Sequence, residues 1–188
     1  MALPSSPAAR HGVVAGELSR LVAGTPDWDA PAPVTGWTAR DVVDHLVTWL
    51  PGFLAAGGVD LAAGPSADDD PVAAWQHHAD AVQTLLDGRG AEDFTHPHVG
   101  PGRLDTTIDR FYTADVFMHS WDLARATGQE ARLDEDEAAG MLSGMQPIEQ
   151  LLRDSGQYGP AVPVPLDAPV VDRLMGFVGR DPAWRPPA

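Results

Sequence analysis

Apolar residues recur at helical spacing over most of the chain, and prolines and glycines cut that pattern into segments. Val14, Leu18, Leu21 and Val22 form one stripe, which predicts a first helix over roughly Pro7 to Ala23. The next stretch, "GTPDWDAPAPVTGW", holds three prolines and is excluded from helix. Thr38 then reads as the N-cap of a second helix, "ARDVVDHLVTWLPGFLAAGG", with Asp41 at its third position and Pro51 expected to kink it or end its regular part. After the polar loop "GPSADDDP", Asp70 and Pro71 start a third helix that runs to about Asp87, with Gly88 and Gly90 as its stop. "FTHPHVGPGRLDTT" reads as an irregular segment or a short hairpin.

A fourth helix is predicted from about Asp105 to Thr127, closed by Gly128. A fifth covers "LDEDEAAGMLSGMQPIEQLLRDSG", acidic at its start and kinked at Pro147. "YGPAVPVPLDAP" is an extended connector, and "VVDRLMGFVGR" a short last helix before "DPAW". No sustained period-2 alternation is present, so the fold class is all-α, a helix bundle with little sheet. The expected organisation is a single domain over residues 1–188, with a core bundle over about 7–157 and a C-terminal cover segment over about 158–188.

Composition narrows the chemistry. There is no cysteine, which excludes disulfides, thiolate metal sites and a cysteine nucleophile. Any metal must be held by His, Asp and Glu, and any thiol must come from outside. The net charge is −15 and all 12 basic residues are Arg, so nucleic acid and anionic membranes are poor partners. No apolar run is long enough to span a bilayer, and "MALPSSPAARHG" lacks the apolar region of a secretory signal, so a cytoplasmic protein is expected.

The fourth helix carries the chemical question. At about 100° per residue, Ile108, Tyr112, Val116, Leu123 and Ala126 share a face, and Asp115 and His119 lie near its middle. Asp109, Thr113 and Ser120 fall on another face and are expected to see water. A carboxylate pointing inward needs a cation, a hydrogen-bond network or a metal. Bundles build metal sites from i, i+4 pairs on one helix with more ligands from a facing helix, but a satisfied polar pair gives the same pattern. Asp122, one turn beyond His119, could orient it, or could pair locally with Arg125.

A third ligand would come from another histidine. His45, at the border of the arc formed by Val42, Leu46, Trp49 and Phe53, leads. His11 lies on the Val14, Leu18 and Val22 stripe and competes with it, also as a closing fourth ligand. His78 sits near an apolar edge and His77 points out. His96 and His98 would share a face in a strand, but the prolines and glycine nearby favour a solvated loop.

"GWTARDVVDHL", "ADVFMHSWDLARATG" and "GRDPAW" together resemble the DinB-like metal-binding bundles, and within them the actinobacterial group around mycothiol-dependent maleylpyruvate isomerase. The resemblance runs from about Gly36 to Trp184. It implies an up-down-down-up four-helix bundle with an extra C-terminal helix. It also implies a divalent metal held by His45, Asp115 and His119, zinc first, with nickel and iron as alternatives. Asp115 stands where the isomerase has Glu, and a full counterpart of the isomerase's separate C-terminal domain is not expected.

Three protein ligands leave an open coordination position, as at catalytic sites. The implied chemistry is a thiol, mycothiol in this family, activated at the metal and attacking a small electrophile: a transferase or isomerase activity. No separate general base stands out; Asp122, Asp41 and Tyr112 are candidates. Activation of water for hydrolysis is the neighbouring chemistry at such a site. The opposing class is a non-catalytic metal-binding or stress-response bundle whose metal is structural or vestigial. In the first case Trp37, Trp49 or Phe53 would line an open cleft. Phe117 and Trp121 would either form an outer apolar face, as in a dimerising scaffold, or lie beneath "GRDPAW"; homodimers are the family's expectation.

Overall fold

The computed structural model describes residues 2–186; Met1, and residues 187–188 at the end of the expected cover segment, lie outside the described residues. The first three helices start where their caps direct. Helix α1 (Pro7–Ala23) has Ser6 as N-cap and Pro7 in its first turn. Helix α2 (Ala39–Ala56) opens with a capping box: Thr38 Oγ1 accepts from the Asp41 N–H, and the Asp41 carboxylate accepts from the Thr38 N–H at 2.7 Å. Helix α3 (Pro71–Arg89) is capped by Asp70, which accepts from the Ala73 N–H at 3.0 Å.

Two of the expected breaks are passed through. Pro51 does not end α2, which continues to Ala56 with Leu50 and Leu54 fully buried around it. Gly88 does not stop α3, which reaches Arg89 before Gly90, with Leu85 and Leu86 buried in its last turns. In both places core packing overrides a local helix breaker.

A two-stranded antiparallel hairpin follows, β1 (Asp93–His96) and β2 (Gly100–Arg103), pairing Asp93 with Arg103 and His96 with Gly100. His96 is therefore a strand residue. It is buried and stacked on Phe53 with ring centroids 4.1 Å apart, rather than sitting in a solvated loop. Phe94 covers the end of α2, where Gly57 leaves the room: a Cβ there would collide with the Phe94 ring.

The long fourth helix is three pieces in one run: α4 (Leu104–Ile108), a π-helical turn (Asp109–Thr113) and α5 (Ala114–Thr127). It ends at Gly128, whose φ of 68° is the left-handed conformation that glycine adopts freely. α6 (Glu135–Met145) and α7 (Glu149–Asp154) are separated by a 3₁₀ turn at Pro147, where the kink was expected. α8 (Val170–Phe177) closes the order.

Helices α1 and α2 each pack on both α3 and α5, which makes the body of the molecule a helical bundle. Leu18, Leu21, Leu46, Leu50, Leu54, Ile108, Tyr112 and Leu123 are fully buried in its core. α8 packs on α6, and Leu174, Met175 and Val178 join the same apolar cluster.

One expectation about α5 is overturned. Thr113 and Ser120 do not face water; both are buried, as is every residue from Val116 to Ala124. α5 is enclosed by α1 and α2, and the π turn puts one extra residue into the run, which moves the helical phase ahead of it. Ser120 satisfies its hydroxyl locally by donating to the Val116 carbonyl at 2.8 Å. Asp109 is partly buried and pairs with Arg10 at 3.1 Å. Phe117 and Trp121 are buried too, so they offer no outer apolar face.

Candidate metal centre

On α2, residues 45, 49 and 53 repeat every four positions and form one stripe of His45, Trp49 and Phe53. That stripe faces the start of α5. The His45 Nε2 lies 3.0 Å from Asp115 Oδ2, and the indole N–H of Trp49 donates to the same oxygen at 3.0 Å. One turn along α5, the His119 Nε2 is 3.4 Å from Asp115 Oδ1. Ligand atoms of His45, Asp115 and His119 all lie within 4.8 Å of one another. Among the described residues no other His, Asp or Glu belongs to that group.

The three differ in exposure. The His119 side chain is 5% accessible, Asp115 19% and His45 33%, so the cluster is closed on the α5 side and open on the α2 side. Aromatic rings border it: Trp37 stacks on His119 at 5.6 Å between centroids and is tilted against His45 at 5.1 Å. Trp49 and Phe53, edge to face at 5.8 Å, extend that border along α2. All three are only partly buried, and they are the residues expected to line a cleft.

Behind His119 runs a chain of charged groups. The His119 Nδ1 lies 2.9 Å from Asp122 Oδ2. Asp122, fully buried, also accepts from Arg180 Nη2 at 3.0 Å and from its Nε at 3.3 Å. Its partner is therefore Arg180, in the "GRDPAW" segment, and not Arg125, whose guanidinium lies over the Trp121 ring. With Nδ1–H donated to a carboxylate, His119 presents the Nε2 lone pair to the cluster, the tautomer a metal ligand needs.

Burial alone would raise both carboxylates. At Asp115 the charge of His119 and the hydrogen bonds from His45 and Trp49 outweigh burial and hold the group below the usual carboxylate range. At Asp122 the His119 hydrogen bond and the Arg180 charge do the same. Tyr158, from the connector, feels both Asp115 and Arg180; burial first, and then the Asp115 charge, raises its phenol.

Arg180 and Tyr158 are the site residues that sequence reasoning missed. Arg180 stands 58 residues beyond Asp122 and Tyr158 stands 43 beyond Asp115, and neither wheel nor spacing links them to α5. The motif "GRDPAW" was the one signal that could have pointed to Arg180.

The remaining candidates lie elsewhere. His11 and His78 are buried in the bundle beside Tyr112, at ring-centroid distances of 6.1 and 5.5 Å. His77 is exposed, and His98 is in the hairpin turn with its backbone N–H on the His96 Nδ1. Of the three candidate bases, Asp41 is engaged in the α2 cap, Asp122 is ion-paired and Tyr112 is fully buried.

The family model for the mycothiol maleylpyruvate isomerase N-terminal domain matches residues 13–124, a span that contains His45, Asp115 and His119. Uncharacterized proteins from two strains of Mycobacterium tuberculosis are each 31% identical to this chain over 157 residues, covering 80% of it and 83% of their own length. No solved structure matches it.

Proposed function

This chain belongs to the mycothiol maleylpyruvate isomerase N-terminal domain family, and from that premise we propose that it is a single-domain, divalent-metal-dependent enzyme. His45, Asp115 and His119 hold the ion, zinc by preference, and a low-molecular-weight thiol, mycothiol by family, attacks a small electrophile. The observation that carries this reading is the convergence of the three ligand atoms within 4.8 Å on a face with one open side. Tetrahedral zinc with bonds of about 2.0–2.1 Å sets its ligands roughly 3.3 Å apart. His45 Nε2 lies 3.0 Å from Asp115 Oδ2 and His119 Nε2 lies 3.4 Å from Asp115 Oδ1, both close to that spacing, and the three ligand atoms together lie within 4.8 Å of one another.

A bound divalent ion supplies Lewis acidity that favours the thiolate of an incoming thiol at neutral pH. The protein's own groups set the geometry. The Trp49 N–H anchors one Asp115 oxygen, while Asp122, held by Arg180, fixes the His119 ring and its tautomer. Trp37, Trp49 and Phe53 give the open side an apolar wall against which an electrophile can rest. The thiol is the nucleophile, which suits a chain without cysteine. The same reading places the protein in the cytoplasm, where such thiols are pooled.

One observation favours a second reading, a metal-holding bundle without catalysis: Asp41, Asp122 and Tyr112 are all engaged or buried, so none is free to act as a general base. A zinc-loaded sample incubated with mycothiol and a panel of epoxides, activated alkenes and alkyl halides separates the two. Enzyme-dependent thiol consumption that His45→Ala abolishes supports the enzyme. Full zinc occupancy with no turnover across the panel supports the second reading.

A further inference from the structure

A second polar cluster lies inside the bundle, away from the triad and independent of any metal. His11 on α1, His78 on α3 and Tyr112 on the π turn are 1%, 4% and 0% exposed. The His11 Nε2, the His78 Nε2 and the Tyr112 Oη are each buried without a hydrogen-bond partner among the described residues. Buried polar atoms are nearly always satisfied, so three such atoms on neighbouring rings require an explanation.

The hydrogen-bond network fixes what one of them needs. Gln83 Nε2 donates to the Ala8 carbonyl at 3.2 Å and to Asp87 Oδ1 at 2.9 Å, which turns its Oε1 toward His11 Nδ1 at 2.9 Å. An amide oxygen only accepts, so Nδ1 carries the proton and the His11 Nε2 is a bare lone pair in search of a donor. The Tyr112 ring stacks on His11 with centroids 6.1 Å apart, and its hydroxyl has a proton to give and a lone pair to share.

We propose that His11, His78 and Tyr112 form an internal binding site for one small, neutral, hydrogen-bonding molecule: a water. It donates to the His11 Nε2, accepts from the Tyr112 hydroxyl, and uses a remaining position for the His78 Nε2. That meets the two to four polar partners a buried water requires. A cation is disfavoured by the donor set. Burial lowers both imidazoles and raises the phenol, so all three are neutral, and Asp87, the carboxylate acting on His11, is already taken by Gln83. His78 also lines a cavity of about 290 Å³ between α2, α3 and the loop over residues 61–67.

The site has a structural consequence. The Tyr112 ring packs on Trp49 at 5.7 Å, and the Trp49 N–H holds Asp115. Seating the Tyr112 hydroxyl therefore steadies the residue that orients the acidic member of the triad.

The test is a high-resolution crystal structure of the whole protein together with ¹⁵N shifts of the His11 imidazole at neutral pH. The expected result is a single density peak within hydrogen-bond distance of the His11 Nε2 and Tyr112 Oη, without anomalous signal, and an Nε2 resonance shifted from that of a free lone pair. In Tyr112→Phe the peak is expected to be lost or displaced. Empty density with a free-lone-pair resonance would overturn the proposal, as would an anomalous peak marking a metal. The wild-type measurements decide the matter even where the variant does not fold.

Discussion

Tyr112 and Asp115 stand about one turn apart on the same helical run, yet their surroundings are opposite. Asp115 is partly exposed and its carboxylate is engaged by His45, Trp49 and His119. Tyr112 is fully buried between two histidines and its hydroxyl has no hydrogen-bond partner among the described residues. Each cluster has two histidines and one acidic or phenolic group. What separates them is charge and access. The outer cluster has a carboxylate held ionised and one open side; the inner one is neutral and enclosed. That contrast is why we propose a cation for the outer set and an uncharged molecule for the inner one.

The sharpest way to break the outer arrangement is to remove the charge behind it. Asp122→Ala leaves the partly buried Arg180, 13% accessible, without its carboxylate and His119 without its anchor. Breaking a buried ion pair in this way costs roughly 3–5 kcal/mol, and urea unfolding of the metal-free protein is expected to show a loss of that order. A change within about 0.5 kcal/mol, the range of ordinary surface substitutions, would mean that the Asp122–Arg180 pair does not fasten the C-terminal segment to the bundle.

The inner cluster makes the next largest difference, through pH. Burial, and then the neighbouring His11 and His77, lower His78 from 6.5 to about 4. Between those values the unfolded chain takes a proton that the folded protein refuses. Stability is thus complete above about pH 6.5 and falls as pH drops toward 4, by about 3 kcal/mol at the low end. Unfolding measured across that window should show this slope, and His78→Leu should flatten it. An unchanged slope in the variant would show that the proton uptake belongs to another group.

Smaller effects refine the outer cluster. On the metal reading, Arg180→Met frees Asp122 from its second partner and loosens His119, and zinc affinity is expected to fall about 10–100-fold, as for other outer-shell partners. Trp49→Phe keeps the ring against Tyr112 but removes the N–H on Asp115; a drop of about tenfold is expected, the low end of the roughly 1.5–3 kcal/mol of a hydrogen bond to a charged group, because His45 still engages the same carboxylate. Competition titrations with a chelator of known affinity resolve both. If Trp49→Phe costs more than Arg180→Met, the indole and not the C-terminal segment is the main support.

The contrast between the clusters also marks what was legible in the sequence. Helix starts were: Ser6–Pro7, Thr38 with Asp41, and Asp70–Pro71 are local chemistry, and α1, α2 and α3 begin where they direct. The triad was legible through the motif around His45, Asp115 and His119, while the wheel left His45 on a border. That border position corresponds to its 33% accessibility beside the open face.

Three features were not legible. The π turn shifts the helical phase ahead of α5, so the wheel placed Thr113 in water, and Ser120 is buried because α1 and α2 both pack on α5, whose residues from Val116 to Ala124 are all buried. The burial of His96 depends on Phe53, forty-three residues away in another element. The anchoring of His119 through Asp122 depends on Arg180, and only chain closure brings that residue to α5. Where a side chain's role was set by its own turn of helix, the sequence disclosed it; where a distant partner set it, the sequence listed the residue among equals or omitted it.

On the proposed reading, His45, Asp115 and His119 hold one divalent metal. The most direct test is zinc titration by calorimetry of protein stripped with chelator, alongside His45→Ala and His119→Ala variants whose helix content is checked by circular dichroism. The account predicts one equivalent bound by the wild-type protein and none by either folded variant. A wild-type protein that takes up no zinc, nickel or iron, or a His119→Ala variant that binds zinc as tightly as the wild type, would contradict it.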